Sequence, residues 1–287
     1  MRKVVIIGAT VILTILVLII AASVIATTIF NYKIDKEIDE FLGIQIPSET
    51  SIVSQVEIEQ LPEPVQNWLL TAGVLESERI YTVRSKQAAL ARFNKDHGEW
   101  TPLKAEQHFT VNEPGFIWSA KFNMAPFLHI AARDMYKDGK GNMLIKFQSL
   151  FTIADSTGYE MDQGTMVRYL AEIVWMPTAA LEDYIVWEEI DEFSAKATMT
   201  YKDVSATGIF TFDEQGNPVH FIADRYGEFD GEFIMLPWVA TMSEHTIIDG
   251  FKVPVNADIT WKLDTGDYTW YSLEVTDIEF NNPVSYN

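Results

Sequence analysis

The sequence predicts a mainly β, α+β protein: an N-terminal transmembrane helix, then a large curved antiparallel sheet, a half-barrel of about eleven strands, with one helical insertion. Three observations predict it. From Val4 to Phe30 no residue is charged, and about 20 apolar residues suffice to cross a bilayer as a helix. From Ile80 to Phe280, runs in which apolar and polar residues alternate are divided by turn clusters, the pattern of strands joined by hairpins. One segment, 162–182, breaks that alternation with helical spacing.

The apolar run comes first. Arg2 and Lys3 are the only charges in the first thirty residues, so the positive-inside rule places the N-terminus in the cytoplasm and the remainder outside, in a single pass. A cleaved signal peptide is the competing reading, with Val24-Ile25-Ala26 offering small residues for a peptidase. The run is about twice the usual 7–15 residues of such a peptide, which favours a retained anchor over residues 1–30. Residues 31–60 read as a juxtamembrane stalk. Ile34, Ile38 and Phe41 recur at helical spacing among Lys33, Asp35, Lys36, Glu37, Asp39 and Glu40, and Pro47-Ser48-Glu49-Thr50-Ser51 breaks the pattern.

Residues 61–287 form the extracytoplasmic domain. It opens with a short helix that has Pro62 and Pro64 at its start, Gly73 at its end and Val65, Trp68 and Leu69 as its buried stripe. The first strong alternation puts Phe116, Trp118, Ala120, Phe122 and Met124 on one strand face. Ala195 to Tyr201 and Val255 to Leu263 repeat it. Turn clusters at 112–115, 138–142, 213–217, 230–231, 249–250 and 265–266 are short enough to join only antiparallel neighbours in meander order. With so many strands a twisted sheet must curl or close. No βαβ alternation is visible, against a dinucleotide fold. The insertion starts at Asp162 as N-cap and is stopped by Pro177. It has two places to go: inside the concave face as a plug or lid, or outside as a brace.

Composition excludes several chemistries. The 287 residues carry 21 Lys+Arg against 41 Asp+Glu, a net charge of −20, and no cysteine. Disulfides, thiolate metal sites and a cysteine nucleophile are therefore absent. So acidic a chain repels a phosphate backbone, which argues against nucleic acid as a partner. His97, His108, His129, His220 and His245 are scattered without an H-x-x-x-H pair, and the run from Asp155 to Asp162 lacks EF-hand spacing, so no metal or other cofactor is expected. There is no G-x-S-x-G and no P-loop. Glu188-Glu189 and Asp191-Glu192 read as a solvated hairpin end.

The candidate site residues are few. Arg168, Tyr169, Glu172 and Trp175 lie on the inserted helix, with Thr165, Arg168, Glu172 and Trp175 lined up at i, i+3, i+4 spacing. Arg before Glu is the weaker order for helix stability, so the pair reads either as a cleft-facing ligand contact or as a salt bridge to the strands. Counting by two from Val219 brings Arg225 onto the apolar face, where it needs a carboxylate or an anionic ligand. Trp118 and Trp238, with Phe116, Phe122, Phe127, Phe147, Phe151, Phe221 and Phe233, would line an apolar hollow or fill it.

Several stretches together carry a resemblance. They are Leu61-Pro62-Glu63-Pro64-Val65-Gln66-x-Trp68-Leu69, Ala105-Glu106-Gln107, Pro114-Gly115-Phe116-x-Trp118, Asp138-Gly139-x-Gly141, Ala223-Asp224-Arg225-Tyr226, Asp249-Gly250 and Asp162-Gln163-Gly164-x-x-x-Arg168-Tyr169-Leu170-Ala171-Glu172-x-x-Trp175-x-Pro177-Thr178-Ala179. Over about residues 61–280 the chain resembles an uncharacterised bacterial family whose members often follow a membrane segment. Asn67 departs from the basic residue expected there. The resemblance implies a bacterial envelope setting and no stated activity. At fold level, a long antiparallel sheet curled around inserted helices is similar to the LolA/LppX-like lipoprotein carriers.

These readings lead to a membrane-tethered binding protein for a lipid or acyl chain, with Arg168 and Arg225 at an anionic headgroup and Glu172 and Tyr169 orienting them. Two other classes remain open. One is an envelope enzyme using Asp162, Glu172 or Asp224 as acid or base with Arg168 stabilising charge; the other is a non-catalytic structural or partner-binding module.

Overall fold

The uncharged run forms the first part of one long helix, α1 (Arg2–Leu42). Its threonines do not interrupt it, because Thr10, Thr14 and Thr28 each return the hydroxyl to the carbonyl four residues back. By length and composition α1 can cross a membrane. The structure, a computed structural model, describes residues 2–43, 50–94, 98–125, 128–229 and 231–286. Pro47, Ser48 and Glu49 of the predicted break, His97, Phe127 and the turn residue Asp230 lie outside the described residues.

The helix continues past the apolar run, and Phe30, Ile34, Ile38, Phe41 and Leu42 bury against Ile117 and Ala131 of the sheet. Glu37 meets Arg133 at 3.3 Å beside them. Residues 31–42 thus lie against the sheet instead of standing free as a stalk, because their apolar stripe has a matching apolar patch to cover. Two short helices follow, α2 (Gln55–Glu59) and α3 (Glu63–Thr71). In α3 the stripe Val65, Trp68 and Leu69 is buried as expected, with Trp68 between 5.8 and 6.2 Å from the rings of Phe210, Phe212 and Trp187.

The strands are β1 (Thr82–Ala91), β2 (Thr101–Thr110), β3 (Gly115–Ala125), β4 (Leu128–Lys137), β5 (Lys140–Phe147) and β6 (Phe151–Ser156), then β7 (Ile185–Asp191), β8 (Ser194–Tyr201), β9 (Val204–Phe212), β10 (Pro218–Phe229), β11 (Glu232–Ile248), β12 (Phe251–Leu263) and β13 (Gly266–Phe280). They form one sheet in the order β6-β5-β4-β3-β2-β1-β13-β12-β11-β10-β9-β8-β7. Among the described residues this makes 13 strands, which corrects the expected eleven. Strands such as β6 leave no alternation to count, since its burial pattern is exposed on both faces.

Each half is an antiparallel meander, and the first and last strands pair at the centre. The remaining connection, β6 to β7, joins the two outer edges, and the helical insertion fills it. It comprises α4 (Tyr159–Glu172) and two 3-10 turns, Ile173–Trp175 and Pro177–Leu181. The helix begins at Tyr159, earlier than the expected Asp162, whose carboxylate is used elsewhere. α4 packs against β4 and β5 on one flank and β8, β9 and β10 on the other. Those strands are far apart in the sheet, so the sheet curls around α4 as a half-barrel, with the insertion inside it.

Candidate functional site

Three consecutive residues fix α4 inside the half-barrel. Asp162 accepts the Gly141 amide at 2.8 Å and Lys140 Nζ at 2.9 Å, which ties the helix to the start of β5. Gln163 does the same for β10, donating to Asp224 O at 3.0 Å and accepting Tyr226 N at 3.2 Å. β10 has backbone to spare there because its pairing with β9 stops at Ile222. Gly164 and Gly141 permit the close approach. A Cβ on Gly141 would lie 2.4 Å from Met161 O, and one on Gly164 would lie 3.0 Å from Tyr226 O.

Held this way, α4 aims Arg168 and Glu172 at the inner face of the sheet. Arg168 donates to Glu172 Oε1 at 2.9 Å, to Asp134 Oδ2 at 2.7 Å and to Gln107 Oε1 at 3.3 Å. Its guanidinium also lies 4.7 Å from the Phe116 ring centroid and 5.4 Å from that of Trp118. Gln107 donates to Glu172 Oε2 at 2.8 Å and accepts from Gln87 at 2.9 Å. Gln87 in turn accepts from Trp118 Nε1 and the Tyr271 hydroxyl, both at 3.3 Å. Burial works against the Arg168 charge, but Glu172 and Asp134 outweigh it and hold its pKa above the ordinary value. Burial also pushes the Glu172 carboxyl up, against the pull of Arg168 and Gln107. Asp134 Oδ1 is buried with no hydrogen-bond partner among the described residues.

Arg225 is different. It comes inward from β10 beside Phe221 and Ala223, and its Nε donates to Gly164 O at 2.8 Å. Its guanidinium lies 5.0 Å from the Trp238 ring and 5.6 Å from the Trp261 ring. Among the described residues it forms no salt bridge, and its terminal nitrogens have no acceptor. Burial pulls its pKa down to about 10, so at neutral pH it is a charged group held without a contacting counter-ion.

Both arginines face a cavity of about 290 Å³ between the insertion and the sheet. Arg168, Glu172, Asp134 and Arg225 supply its polar wall; Trp118, Trp175, Trp238 and a series of aliphatic side chains supply the rest. The outermost lining residue is Phe93, which stacks on Phe122 at 4.8 Å and is 58 % exposed.

Six predicted site residues, Arg168, Glu172, Trp175, Arg225, Trp118 and Trp238, thus meet around one hollow. Trp175 also donates to Pro254 O at 2.8 Å, so it ties the insertion to β12. Tyr169 is not among them. Its ring is buried on another face of α4, with its hydroxyl donating to Thr110 O at 3.0 Å and 3.1 Å from that of Tyr184. The three carboxylates of the enzyme reading do not converge: Glu172 lines the cavity, Asp162 holds the β4–β5 turn, and Asp224 is exposed on β10. The sequence reading missed Asp134, Gln87 and Gln107. A signal for Asp134 existed, since counting by two through Ile130, Ala132 and Tyr136 puts it on an apolar face. Among the described residues no group of His, Asp and Glu side chains could hold a metal ion.

Residues 59–280 match a family described as one of unknown function, DUF6920. No curated protein matches the chain. Two crystal structures are similar over most of its length. A LolA superfamily protein from Nitrosomonas europaea shares 10 % identity over 81 % of this chain and 95 % of that one, with a TM-score of 0.37. A beta-barrel-like protein of the DUF1849 family from Brucella abortus shares 11 % identity over 71 % of this chain and 99 % of that one, with a TM-score of 0.21. At such scores the likeness says nothing of a ligand, and function has to be read from this chain's own residues.

Proposed function

The chain belongs to the DUF6920 family, whose function is unknown, and from that premise we propose that this member is a membrane-anchored extracytoplasmic protein that binds one acyl chain with an anionic end. The observation that carries the reading is Arg225: a half-buried cation that, among the described residues, contacts no carboxylate and borders a hollow whose remaining wall is mostly apolar. Leaving a guanidinium so placed costs stability, and a carboxylate or phosphate on a ligand would recover it through a charge-assisted, two-pronged contact. Arg168 is already neutralised by Asp134 and Glu172, so it shapes the polar end of the cavity and does not need an anion of its own. A volume of about 290 Å³ is at the low end for ligand pockets. It suits a fatty acid, or one chain of a larger lipid.

α1 supplies the membrane setting: an uncharged span behind Arg2 and Lys3, which favours a cytoplasmic N-terminus and a single pass in the cell membrane. No cofactor enters this reading, and binding needs none.

The test is a titration of the full chain in nanodiscs with cis-parinaric acid, reading energy transfer from the cavity tryptophans. Saturable transfer, competed by palmitate but not by an alkyl alcohol, is expected. An absence of saturable binding, together with no lipid in organic extracts of the purified protein, would overturn the reading.

A further inference from the structure

The docking of α1 fixes which end of the half-barrel meets the membrane. The helix lies along the outer face of β3 and β4. Its Phe41 ring is beside Gly115 at the start of β3, whereas the other end of the packed segment reaches the opposite rim. There the Ser23 hydroxyl bonds Gln148 Oε1 at 2.9 Å, and the Thr27 hydroxyl lies 3.3 Å from His129 Nε2 and 3.2 Å from Ser149 Oγ. Beyond Ser23 the helix leaves the sheet, and the described side chains from Lys3 to Ala22 are all exposed. From Val4 to Ser23 the helix rises about 30 Å, the thickness of a bilayer's hydrocarbon core. A helix that spends those residues crossing the membrane therefore delivers the Gln148 rim to the boundary of the outer leaflet, with no spacer between.

That rim is apolar. Because successive strands alternate in direction, the ends of β1, β3 and β5 lie together there. Phe93, Met124, Leu128, Phe151 and Ile153, which follow or close those strands or open their partners, are between 41 % and 66 % exposed. Phe93 is also the exposed member of the cavity lining. Five large apolar side chains on one rim, bonded to the continuation of an exposed apolar helix, form a surface whose natural contact is lipid.

We infer that this rim rests in the outer leaflet of the bilayer that α1 crosses, so that the cavity opens onto acyl chains and exchanges its ligand with the membrane without passage through water. This rests on α1 being a membrane anchor. The firm docking of Phe30, Ile34, Ile38 and Phe41 on the sheet makes the orientation a property of the fold, not of a flexible tether.

The chain has no cysteine, which makes the test direct. Single variants Phe151→Cys, Leu128→Cys, Ile12→Cys and Glu214→Cys of the full chain are labelled with a nitrobenzoxadiazole dye in liposomes of phosphatidylethanolamine and phosphatidylglycerol. Lipids carrying a nitroxide on the upper acyl chain are then added as quencher. Position 12 reports insertion of α1, and position 214, in the turn before β10, reports the far end. Loss of most of the fluorescence at 12, 128 and 151, with none at 214, is the expected result. Quenching at 12 alone would leave the anchor standing and overturn the inference. Quenching nowhere would overturn the anchor reading and the inference with it, and equal quenching at 214 would show that the domain lies on its side, which also overturns the proposed orientation.

Discussion

Replacing Arg225 by methionine separates a ligand contact from a structural one. Burial pulls the guanidinium well below its ordinary value, to about 10, which costs the charged form ~3 kcal/mol. At pH 7 the group is charged in both the folded and unfolded chains, so the folded state carries that whole penalty; it would fade only as the pH rises above about 10. Methionine removes the penalty and fills most of the same volume. Against this stand the bond to Gly164 O, ~1 kcal/mol, and the contact with Trp238 and Trp261, ~1–2 kcal/mol. The difference is ~0–1.5 kcal/mol in favour of the variant, a melting temperature unchanged or raised by up to roughly 5 °C for a chain of this size. Binding should respond in the opposite sense. Loss of a charge-assisted contact costs ~1.5–3 kcal/mol, about 10- to 100-fold in affinity for cis-parinarate, while affinity for its methyl ester should be unchanged. Thermal unfolding in nanodiscs and the energy-transfer titration measure the two effects. A variant that melts several degrees lower yet binds the anion as before would refute the reasoning, because Arg225 would then be a structural cation.

Arg168→Met should behave in reverse, losing ~3–5 kcal/mol of stability in urea unfolding because Asp134 and Glu172 remain buried with no cation between them. Acid should weaken the fold through His108. Burial, with Arg84 nearby, pulls this group from 6.5 to about 4, so as the pH falls between those values the unfolded imidazole takes a proton that the folded one refuses, and ~3 kcal/mol is lost. Neither ring nitrogen has a hydrogen-bond partner among the described residues, so His108→Leu should flatten the acid limb of the stability curve without a loss at pH 8. Gly141→Ala should cost ~1–3 kcal/mol, since the new methyl must push Met161 O and the Thr165 hydroxyl away; thermal unfolding reads it.

The helical motif shows how much of the site was legible. Helical spacing placed Arg168, Glu172 and Trp175 on one side of α4, and strand alternation turned Arg225 and Trp118 inward, both local periodicities, and these side chains border the cavity in the structure; Trp238 was named for its aromatic ring alone. What Asp162, Gln163 and Gly164 do was not legible. Their partners, Gly141 on β5 and Asp224 and Tyr226 on β10, come from opposite flanks of the sheet. Tyr169 shows the converse failure. It neighbours Arg168 in sequence, but successive helix positions point about 100° apart, so its ring goes to Thr110 and Tyr184 and away from the cavity.

The sequence by itself determined the apolar span of α1, the antiparallel strands with their inward faces, and the helical break between the two halves. Each is written in the spacing of neighbouring residues, where side-chain direction repeats with the backbone. Only the tertiary structure decided that Asp134 joins Glu172 at Arg168, that Arg225 is left without a carboxylate, that the core is filled beside Trp68 and hollow beneath α4, and that α1 lies against the outer face of the sheet. Those outcomes depend on register and curl, which bring together residues far apart in the chain. A void or an unmatched charge is a property of that assembly, not of any one segment.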